Sequence, residues 1–557
     1  MQHTPLLMSG LLDRGARVAP GEELVTATKS GTPRRQTYRE TRDRAHQLAN
    51  ALTDAGVQIG DRVATFMWNG SRHLEAYHAI SCMGAVLHPL NVRFTEEATQ
   101  YIVNHAQDKL LIIDADLLPA FEKLAGKVPT VKQVIVATEE GDEGWQTSLP
   151  NAVDYEDFIR GCPTHCDWPE LAENSPLSMC YTSGTTGNPK GVMYEHRSQY
   201  LNTITLAMTD AMTMSATDSI CGVVPMYHAM GWGIPWAATM LGAKQVFPYR
   251  YMAPERLASL FAAEQVSLST GVPTVWEDLQ ALIEADPGRF DLSGLSRLVC
   301  GGSAPAAALS KWYFETMGVE LIQGFGMTET SALVTISRRL MKHADLKRDE
   351  DQQLANIAKT GIAMPGLDVE IVDAAFNPLP HDGKAQGELL IRGPWVCDEY
   401  YQEPHPDAFH GGWLRTGDIA AIDSGEYVII TDRAKDLIKS GGEWISSEDL
   451  ENEIVAVEGV FEACVVAQPH PKWDERPVAL VVLKAGAKAT AKQIQDHLAK
   501  HFAKWQLPDD VIFVDSIPHT GTGKMDKKAV REHLKSDGYQ LPDQIICERS
   551  NHENERR

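Results

Sequence analysis

A twelve-residue run rich in glycine and hydroxyl side chains is the part of the sequence best suited to chemistry. It extends from Cys180 to Gly191. Glycine lets a backbone turn tightly and bring its N–H groups close to an anion, and hydroxyl groups donate to phosphate oxygens. The run differs from a Walker A loop because Pro189 precedes Lys190 and Gly191 follows it. It predicts a polyphosphate-binding loop formed by Thr182, Ser183, Gly184, Thr185, Thr186, Gly187 and Lys190.

Three further segments carry groups that could contact a ligand. Gly301 and Gly302 follow a predicted strand, Arg297 to Cys300, and small residues at such a point let a flat ligand approach the backbone. The run from Gly324 to Thr330 combines an aromatic ring, hydroxyls and the Glu329 carboxylate. The third segment, residues 225–232, is apolar apart from one histidine, His228.

Composition and charge limit the class of protein. The chain has 557 residues, 43% of them hydrophobic and 23% charged, which is typical of a globular protein larger than one ordinary domain. A net charge of −24 disfavours a role in binding nucleic acid. The nine cysteines are scattered, which indicates reduced thiols and a cytoplasmic location. Cys162 to Cys166 has no second pair of ligands nearby, so a metal site there is not favoured.

The elements that must position these groups alternate between helix and strand. Thr37 and Glu40 predict a capping box at the start of an amphipathic helix, and short apolar runs at 110–113 and 134–136 predict buried parallel strands. This alternation is typical of an α/β fold. Short strands and turns from Leu367 to Ile391 predict a small β subdomain, and residues after Asp432 predict a compact α+β module. We predict three segments, with boundaries 1–431, 432–540 and 541–557.

Five separated runs together resemble one family, the adenylate-forming enzymes, which include acyl-CoA synthetases, luciferases and adenylation domains. These runs are the predicted phosphate loop and residues 324–330, 413–418, 432–445 and 518–524. Residues 439–446 and 470–477 are more specifically similar to medium-chain fatty-acyl-CoA synthetases and 3-methylmercaptopropionyl-CoA ligases. The resemblance covers nearly the whole chain. It implies a large N-terminal domain of two α/β subdomains plus the small β subdomain, then a small mobile α+β domain.

The resemblance implies a reaction in two halves. A carboxylate attacks the α-phosphorus of ATP and forms an acyl-adenylate and pyrophosphate, and the CoA thiol then displaces AMP to give a thioester. The first half brings two anions together, so catalysis must depend on positioning and charge neutralisation. ATP, Mg²⁺ and coenzyme A are the implied cofactors, and a homodimer is implied by the same resemblance.

The family's functional residues map onto named positions of this chain. Those implied for catalysis are Lys524, His228 and Lys439. Those implied for ATP, besides the phosphate loop, are Gly301, Gly302, Gly324, Phe325, Gly326, Met327, Thr328, Asp418 and Arg433. Those implied for the metal are Thr185 and Glu329, and those for the acyl pocket are His228 and Trp232. The implied CoA-binding residues are Lys439, Gly441, Glu443 and Trp444, and the implied hinge is Lys435.

Two departures and several alternatives stay open at this stage. His519 stands where the family often has a basic residue, and Ala229-Met230-Gly231 replaces a common Val-Asn-Ala, which leaves the acyl chain length open. The preferred acid is a short- to medium-chain fatty acid, and methylthio or aryl acids are the alternatives. An adenylating enzyme that loads a separate carrier protein, a light-emitting enzyme and a non-catalytic nucleotide-binding protein are the other readings.

Overall fold

The computed structural model describes residues 2–139, 144–149, 151–182, 188–402, 404–433, 436–440, 443–484, 486–519 and 525–535, with the backbone alone at 443 and 444. The described residues form two compact units. The first comprises those within Met1–Glu370, Leu390–Arg415 and Ser424–Val428. The second comprises those within Ile371–Leu389, Thr416–Asp423 and Ile429–Arg557. The boundary predicted at 431/432 stays a prediction.

Helices occur in both units. In chain order the described α-helices are α1 (Gly10–Val18), α2 (Tyr38–Asp54), α3 (Ser71–Cys82), α4 (Glu96–Ala106), α5 (Leu118–Glu122), α6 (Tyr155–Ile159), α7 (His196–Ala207), α8 (Ile234–Leu241), α9 (Pro254–Glu264), α10 (Pro273–Ala285), α11 (Ala307–Met317), α12 (Glu350–Leu354), α13 (Ser447–Val455), α14 (Ala491–Leu498) and α15 (Lys527–Lys535).

The strands build four sheets. The first sixteen described strands are β1 (Glu23–Thr26), β2 (Arg34–Thr37), β3 (Arg62–Phe66), β4 (Val86–Pro89), β5 (Leu110–Asp114), β6 (Gln133–Ala137), β7 (Ala152–Asp154), β8 (Pro176–Tyr181), β9 (Gly191–Glu195), β10 (Ser219–Gly222), β11 (Lys244–Phe247), β12 (Leu268–Gly271), β13 (Arg297–Gly301), β14 (Glu320–Phe325), β15 (Thr335–Ser337) and β16 (Ile362–Ala363). The later ones are β17 (Asp368–Val372), β18 (Gly387–Arg392), β19 (Phe409–His410), β20 (Trp413–Ile422), β21 (Val428–Arg433), β22 (Ile438–Ser440), β23 (Glu443–Ile445), β24 (Val460–His470), β25 (Asp474–Leu483) and β26 (Asp510–Phe513).

Two large and mostly parallel sheets dominate the first unit. One has nine strands in the order β16-β15-β14-β13-β12-β10-β11-β1-β2, and the other has seven in the order β7-β6-β5-β3-β4-β8-β9. Among the strands that the structure describes, antiparallel pairs occur only toward the ends of these sheets, at β1–β2, β14–β15, β15–β16 and β8–β9. Parallel strands end at a common edge, which is where α/β sheets place their ligands. The predicted pair of α/β subdomains is confirmed.

Local signals explain several of these elements. The Thr37–Glu40 capping box is present at the start of α2, whose residues Ala45 and Leu48 are fully buried. At the start of α3, His73 lies in the core. Its Nδ1 donates to the Trp68 carbonyl at 3.0 Å and its Nε2 accepts from the Thr65 hydroxyl at 2.9 Å. Burial lowers the pKa of His73 to about 4, so the ring is neutral.

The second unit contains a mainly antiparallel sheet in the order β23-β22-β25-β24, with β26 pairing parallel to β25. Leu450 and Ile454 are spaced as on one face of a helix, and α13 buries both where it packs on β24. The apolar spacing of Ile494, Leu498 and Phe502 predicts a helix that includes Phe502, but α14 ends earlier, at Leu498. The Phe502 amide still donates to the Leu498 carbonyl at 2.9 Å, so the apolar stripe continues in a turn.

The remaining sheet has the order β17-β18-β20-β19, with β21 paired to β20. Its strands β17 and β18 lie where the sequence predicts the small β subdomain. Among the described residues, no helix is long and apolar enough to cross a membrane.

Candidate active site

The two ends of the predicted phosphate loop are held together as neighbouring strands. β8 pairs antiparallel with β9, so Tyr181 lies opposite Gly191. The Thr182 amide donates to the Lys190 carbonyl at 2.9 Å, and the Lys190 amide donates to the Thr182 hydroxyl at 3.2 Å. Residues 183–187 lie outside the described residues. The bonds between Thr182 and Lys190 fix the two points between which the loop runs.

Tyr400 connects two of the predicted site residues. Its hydroxyl donates to Glu329 Oε1 at 2.7 Å, and the Nζ atom of Lys190 lies 4.7 Å from the centre of its ring. Glu329 is 8% exposed. Burial and the Glu329 charge raise the pKa of the Tyr400 hydroxyl, so it remains a donor. A carboxylate held in this way keeps lone pairs that can face a hard cation.

The adjacent ends of β13 and β14 form a surface of bare backbone. These strands are parallel, and Gly301 lies opposite Gly324. Gly302 has a φ of +87°, a conformation that favours glycine. A Cβ atom on Gly326 would lie 1.7 Å from the Ala332 carbonyl oxygen, so no larger residue fits. A flat ring could therefore approach the backbone closely at this edge, as the sequence predicts.

A buried asparagine positions the segment that leads to His228. The side-chain Nδ2 of Asn69 donates to the backbone carbonyls of Gly222 and Val224 at 2.9 and 2.8 Å. Its Oδ1 accepts from the Met226 amide at 2.8 Å. His228, two residues further on, is half-buried. The arrangement fixes the backbone that carries the histidine.

The residues after His228 form a left-handed turn. The backbone φ angles are positive at Ala229 (35°), Met230 (51°), Gly231 (59°), Trp232 (54°) and Gly233 (73°). This conformation costs about 1–2 kcal/mol for each non-glycine residue. The turn directs the Trp232 indole toward β13, where a Cβ atom on Gly301 would lie 2.7 Å from Trp232 Cη2. The predicted acyl-pocket tryptophan therefore borders the predicted nucleotide surface.

In the second unit, Asp418 and Arg433 form a close pair. Arg433 Nε donates to Asp418 Oδ1 at 2.7 Å, and the Asp418 side chain is 2% exposed while that of Arg433 is 43% exposed. The Asp418 amide donates to the Thr416 hydroxyl at 3.0 Å, which in turn donates to the Leu389 carbonyl at 2.8 Å. The strands thus fix the carboxylate, and the guanidinium keeps donors that face solvent.

A second polar cluster joins three elements of this unit. Asp432, at the end of β21, accepts from the amide and the hydroxyl of Ser447 at 2.6 and 2.7 Å. Lys527, at the start of α15, donates to Ser447 Oγ at 2.6 Å and lies 2.9 Å from Glu451. Although burial opposes it, the Glu451 carboxylate raises the pKa of Lys527, which stays charged. Lys527 follows Lys524 by three residues, so the cluster anchors the chain beside the predicted catalytic lysine.

The predicted CoA-binding segment is a two-stranded ribbon. β22 and β23 are antiparallel, and Lys439 lies opposite Trp444. The Lys439 backbone amide donates to Glu475 Oε2 at 2.9 Å, and the Nζ atom of Lys439 lies 3.7 Å from Asp474 Oδ2. Half of the Lys439 side chain is exposed, which leaves the ammonium group accessible to a ligand.

Two family models match this chain in order. The model described as AMP-binding enzyme matches residues 12–401, and the one described as AMP-binding enzyme C-terminal domain matches residues 449–524. The first match covers well over half of the 557 residues. The chain belongs to the AMP-binding enzymes.

Curated relatives of this AMP-binding enzyme align with nearly its whole length. It is 43% identical over 541 residues to a long-chain-fatty-acid–CoA ligase of Thermus thermophilus, covering 96% of this chain and 97% of the relative. It is 40% identical over 533 residues to a medium-chain-fatty-acid–CoA ligase of Ectopseudomonas oleovorans, covering 96% of both. It is 39% identical over 535 residues to a 3-methylmercaptopropionyl-CoA ligase of Ruegeria lacuscaerulensis, covering 96% of this chain and 98% of the relative.

A solved structure agrees with the fold of this AMP-binding enzyme. The anthranilate CoA ligase AuaEII in complex with anthranoyl-AMP superposes with a TM-score of 0.85 at 25% identity, covering 97% of this chain and all of that one. The predicted family, the fold class and the enzyme class, an AMP-forming acid–thiol ligase, are confirmed. The roles assigned to individual residues stay predictions.

Several predicted residues of this AMP-binding enzyme lie outside the described part of the chain. They are Ser183, Gly184, Thr185, Thr186, Gly187, Lys435, Gly441 and Lys524. Glu443 and Trp444 are described by their backbone alone. On either side of residues 520–524, His519 and Met525 form a β-bridge, and His519 Nε2 lies 2.7 Å from Glu462 Oε1.

Three positioning residues of this AMP-binding enzyme were missed by sequence reasoning. Tyr400 is 71 residues from Glu329, so no local spacing connects them. Tyr194 donates to the Thr328 carbonyl at 2.8 Å and thereby holds the short turn that carries Glu329. Asn69 is distant in sequence from the loop it holds. One signal could have pointed to them. Each is a polar residue on the buried face of an element that lies near the ends of the strands.

Proposed function

We propose that this enzyme activates a short- to medium-chain fatty acid with ATP and transfers the acyl group to coenzyme A. In the first step a carboxylate oxygen bonds to the α-phosphorus while pyrophosphate leaves. In the second step the thiolate sulfur of CoA bonds to the acyl carbon while AMP leaves. The arrangement of Glu329, Tyr400 and Lys190 next to the ends of the phosphate loop is the observation that carries the proposal.

The first unit would hold the triphosphate. Lys190 supplies a positive charge beside the loop, and charge-assisted contacts to phosphate are among the strongest in proteins. Glu329 and Thr185 would hold Mg²⁺, and the buried oxygen of Glu329 fits this role because magnesium prefers oxygen ligands. When bound, the ion would neutralise phosphate charge. The backbone edge at Gly301 and Gly324, with Phe325, would face adenine.

The second unit would hold the ribose and take part in both steps. Asp418 is placed to accept from ribose hydroxyls and Arg433 to donate there. Lys524 would contact the acid and the α-phosphate during adenylation. We infer that Lys435 is the hinge at which this part of the chain turns between the two steps. The exposed Lys439 ribbon, with Gly441, Glu443 and Trp444, would then contact CoA.

The acid would bind next to His228 and Trp232. The side chains around the left-handed turn are apolar, since Ala229, Met230 and Ile234 flank the tryptophan. An uncharged acyl tail fits these surroundings because a charged tail would lose its hydration without gaining a partner. Methylthio acids meet the same condition, and the 3-methylmercaptopropionyl-CoA ligase relative favours them as the second candidate.

One set of assays tests the proposal. The purified enzyme is given ATP, Mg²⁺ and acids from C3 to C18, 3-methylthiopropionate and cinnamate, each with and without CoA. We expect CoA-dependent thioester and AMP formation with an optimum at short to medium chain length. Pyrophosphate exchange without a thioester would instead indicate a carrier-loading enzyme, and no turnover with any acid would reject ligase activity.

The family resemblance also leads us to propose a homodimer in the cytoplasm. Light scattering of the purified protein and fractionation of its native cells would test these two points.

A further inference from the structure

Three side chains able to ligate a metal converge in the second unit. Glu453 lies on α13, His497 lies on α14, and His501 lies in the turn after α14. Glu453 Oε2 is 3.0 Å from His497 Nε2 and 3.7 Å from His501 Nε2. Their ligand atoms all lie within 4.8 Å of one another. Within the described ranges, no other group of three such residues meets this condition.

The separations of Glu453 Oε2 from the two imidazole nitrogens are close to those in a tetrahedral metal centre. Bonds of about 2.0–2.1 Å at tetrahedral angles place neighbouring ligand atoms about 3.4 Å apart. The two distances from Glu453 Oε2, 3.0 and 3.7 Å, lie on either side of this value. The two imidazole rings are tilted by 42°, with centroids 5.2 Å apart, so they converge rather than stack.

A carboxylate–imidazole hydrogen bond accounts for the 3.0 Å contact between Glu453 and His497, but not for the second imidazole, that of His501, 3.7 Å from the same oxygen. One carboxylate oxygen is approached by two imidazole nitrogens, and an exposed ion pair is typically worth only about 0–1 kcal/mol. The side chains are 34%, 26% and 48% exposed for Glu453, His497 and His501, so an ion could enter and water could complete its coordination. His497 also lies in the last turn of α14, where the helix dipole favours a cation.

We propose that Glu453, His497 and His501 form a binding site for a divalent transition-metal ion of the Zn²⁺ type. Two imidazole nitrogens and one carboxylate suit Zn²⁺, Ni²⁺ or Cu²⁺, whereas Mg²⁺ prefers oxygen ligands throughout. The ion would link α13 to the turn that follows α14. Because it would bind the folded unit and not the separated ligands of the unfolded chain, it would stabilise this unit.

The test uses full-length enzyme stripped with a chelator and then titrated with Zn²⁺ against a coloured competitor, with Mg²⁺ in excess. We expect one tightly bound Zn²⁺ per chain. The affinity for Zn²⁺ should fall in each of the variants Glu453→Gln, His497→Ala and His501→Ala. The fall should exceed the roughly 10–100-fold that follows the loss of a residue that only orients a metal ligand.

Two control variants each remove a possible zinc ligand at another place in the chain. His165→Ala removes an exposed histidine whose Nε2 is 3.1 Å from Asp167 Oδ1, and Cys166→Ser removes a half-buried thiol in the cysteine-containing segment noted in the sequence. Both should bind Zn²⁺ as the wild type does. Undiminished binding in any of the three ligand variants, or loss of the tight site in Cys166→Ser, would overturn the proposal.

Thermal unfolding gives an independent readout. Zn²⁺ should raise the melting temperature of the wild type and of both controls and leave that of the ligand variants unchanged. Metal-free circular dichroism and ligase turnover should match the wild type and confirm folding. If His501→Ala fails to fold, His501→Gln replaces it, because this side chain is 48% exposed and glutamine keeps its polarity. An equal rise in melting temperature in all variants would reject the site.

Discussion

Replacing Tyr400 with phenylalanine would remove a single hydroxyl group and keep the ring that lies 4.7 Å from Lys190 Nζ. The lost hydroxyl is the donor that lies 2.7 Å from Glu329 Oε1. A hydrogen bond to a charged group contributes about 1.5–3 kcal/mol, which corresponds to about 10–150-fold in an equilibrium. Losing a residue that orients a metal-binding carboxylate costs about 10–100-fold in metal affinity. We therefore expect Tyr400→Phe to raise the half-saturating free Mg²⁺ concentration about 10–100-fold.

The assay is ATP–pyrophosphate exchange at saturating ATP and acid, with free Mg²⁺ as the variable. Tyr401→Phe is the matched control. It removes the hydroxyl of the neighbouring residue, which accepts from the side-chain Nε2 of Gln402 at 2.9 Å. The control should titrate as the wild type does. If the Tyr400→Phe curve overlays that of the wild type, or if both variants shift equally, Glu329 is not a metal ligand oriented by Tyr400.

Three other outcomes are expected. Lys524→Ala should slow adenylation by about 10²–10³-fold, as loss of one oxyanion donor does, and spare thioester formation from supplied acyl-adenylate; equal loss of both steps would contradict its role. Lys435→Pro should block rotation at the proposed hinge, because proline fixes φ near −65°. If the fixed orientation is the one that brings Lys524 to the α-phosphate, pyrophosphate exchange should survive while acyl-CoA formation fails; parallel loss, or no loss, would reject the hinge. The pKa of His73 is lowered to about 4 in the folded protein, against about 6.5 in the unfolded chain. The stability that the neutral ring contributes is therefore fully present above about pH 6.5 and is lost as the pH falls toward 4. The free energy of unfolding should fall by about 2 kcal/mol from this residue between pH 7 and pH 5, and urea unfolding should show a smaller fall for His73→Asn than for the wild type.

Patterns that depend on near neighbours in the sequence predicted much of the fold. The capping box of α2 and the buried strands β5 and β6 follow from periods and caps that a single segment contains. The early end of α14 shows the limit of this reasoning. The spacing of Leu498 and Phe502 indicates which side chains face the core, and a turn lets Phe502 pack partly buried against that core without a continuous helix.

The candidate site was predictable at the level of motifs but not of supporting contacts. Glu329 and Lys190 stand out in the sequence because of their neighbours, yet Tyr400, which lies between them, is placed by tertiary structure alone. The left-handed turn at 229–233 was also beyond prediction, because alanine, methionine and tryptophan have no local preference for positive φ.

The closeness of Trp232 to Gly301 should couple the choice of acid to the binding of ATP. A Cβ atom at Gly301 would lie 2.7 Å from the indole and 2.9 Å from the Gly324 carbonyl oxygen, so the tryptophan backs the strand edge that we assign to the nucleotide. Directed evolution toward longer acids through Trp232 should then alter the KM for ATP as well. Substitutions at 232 and along this strand edge should show epistasis rather than additive effects, as residues in contact commonly do.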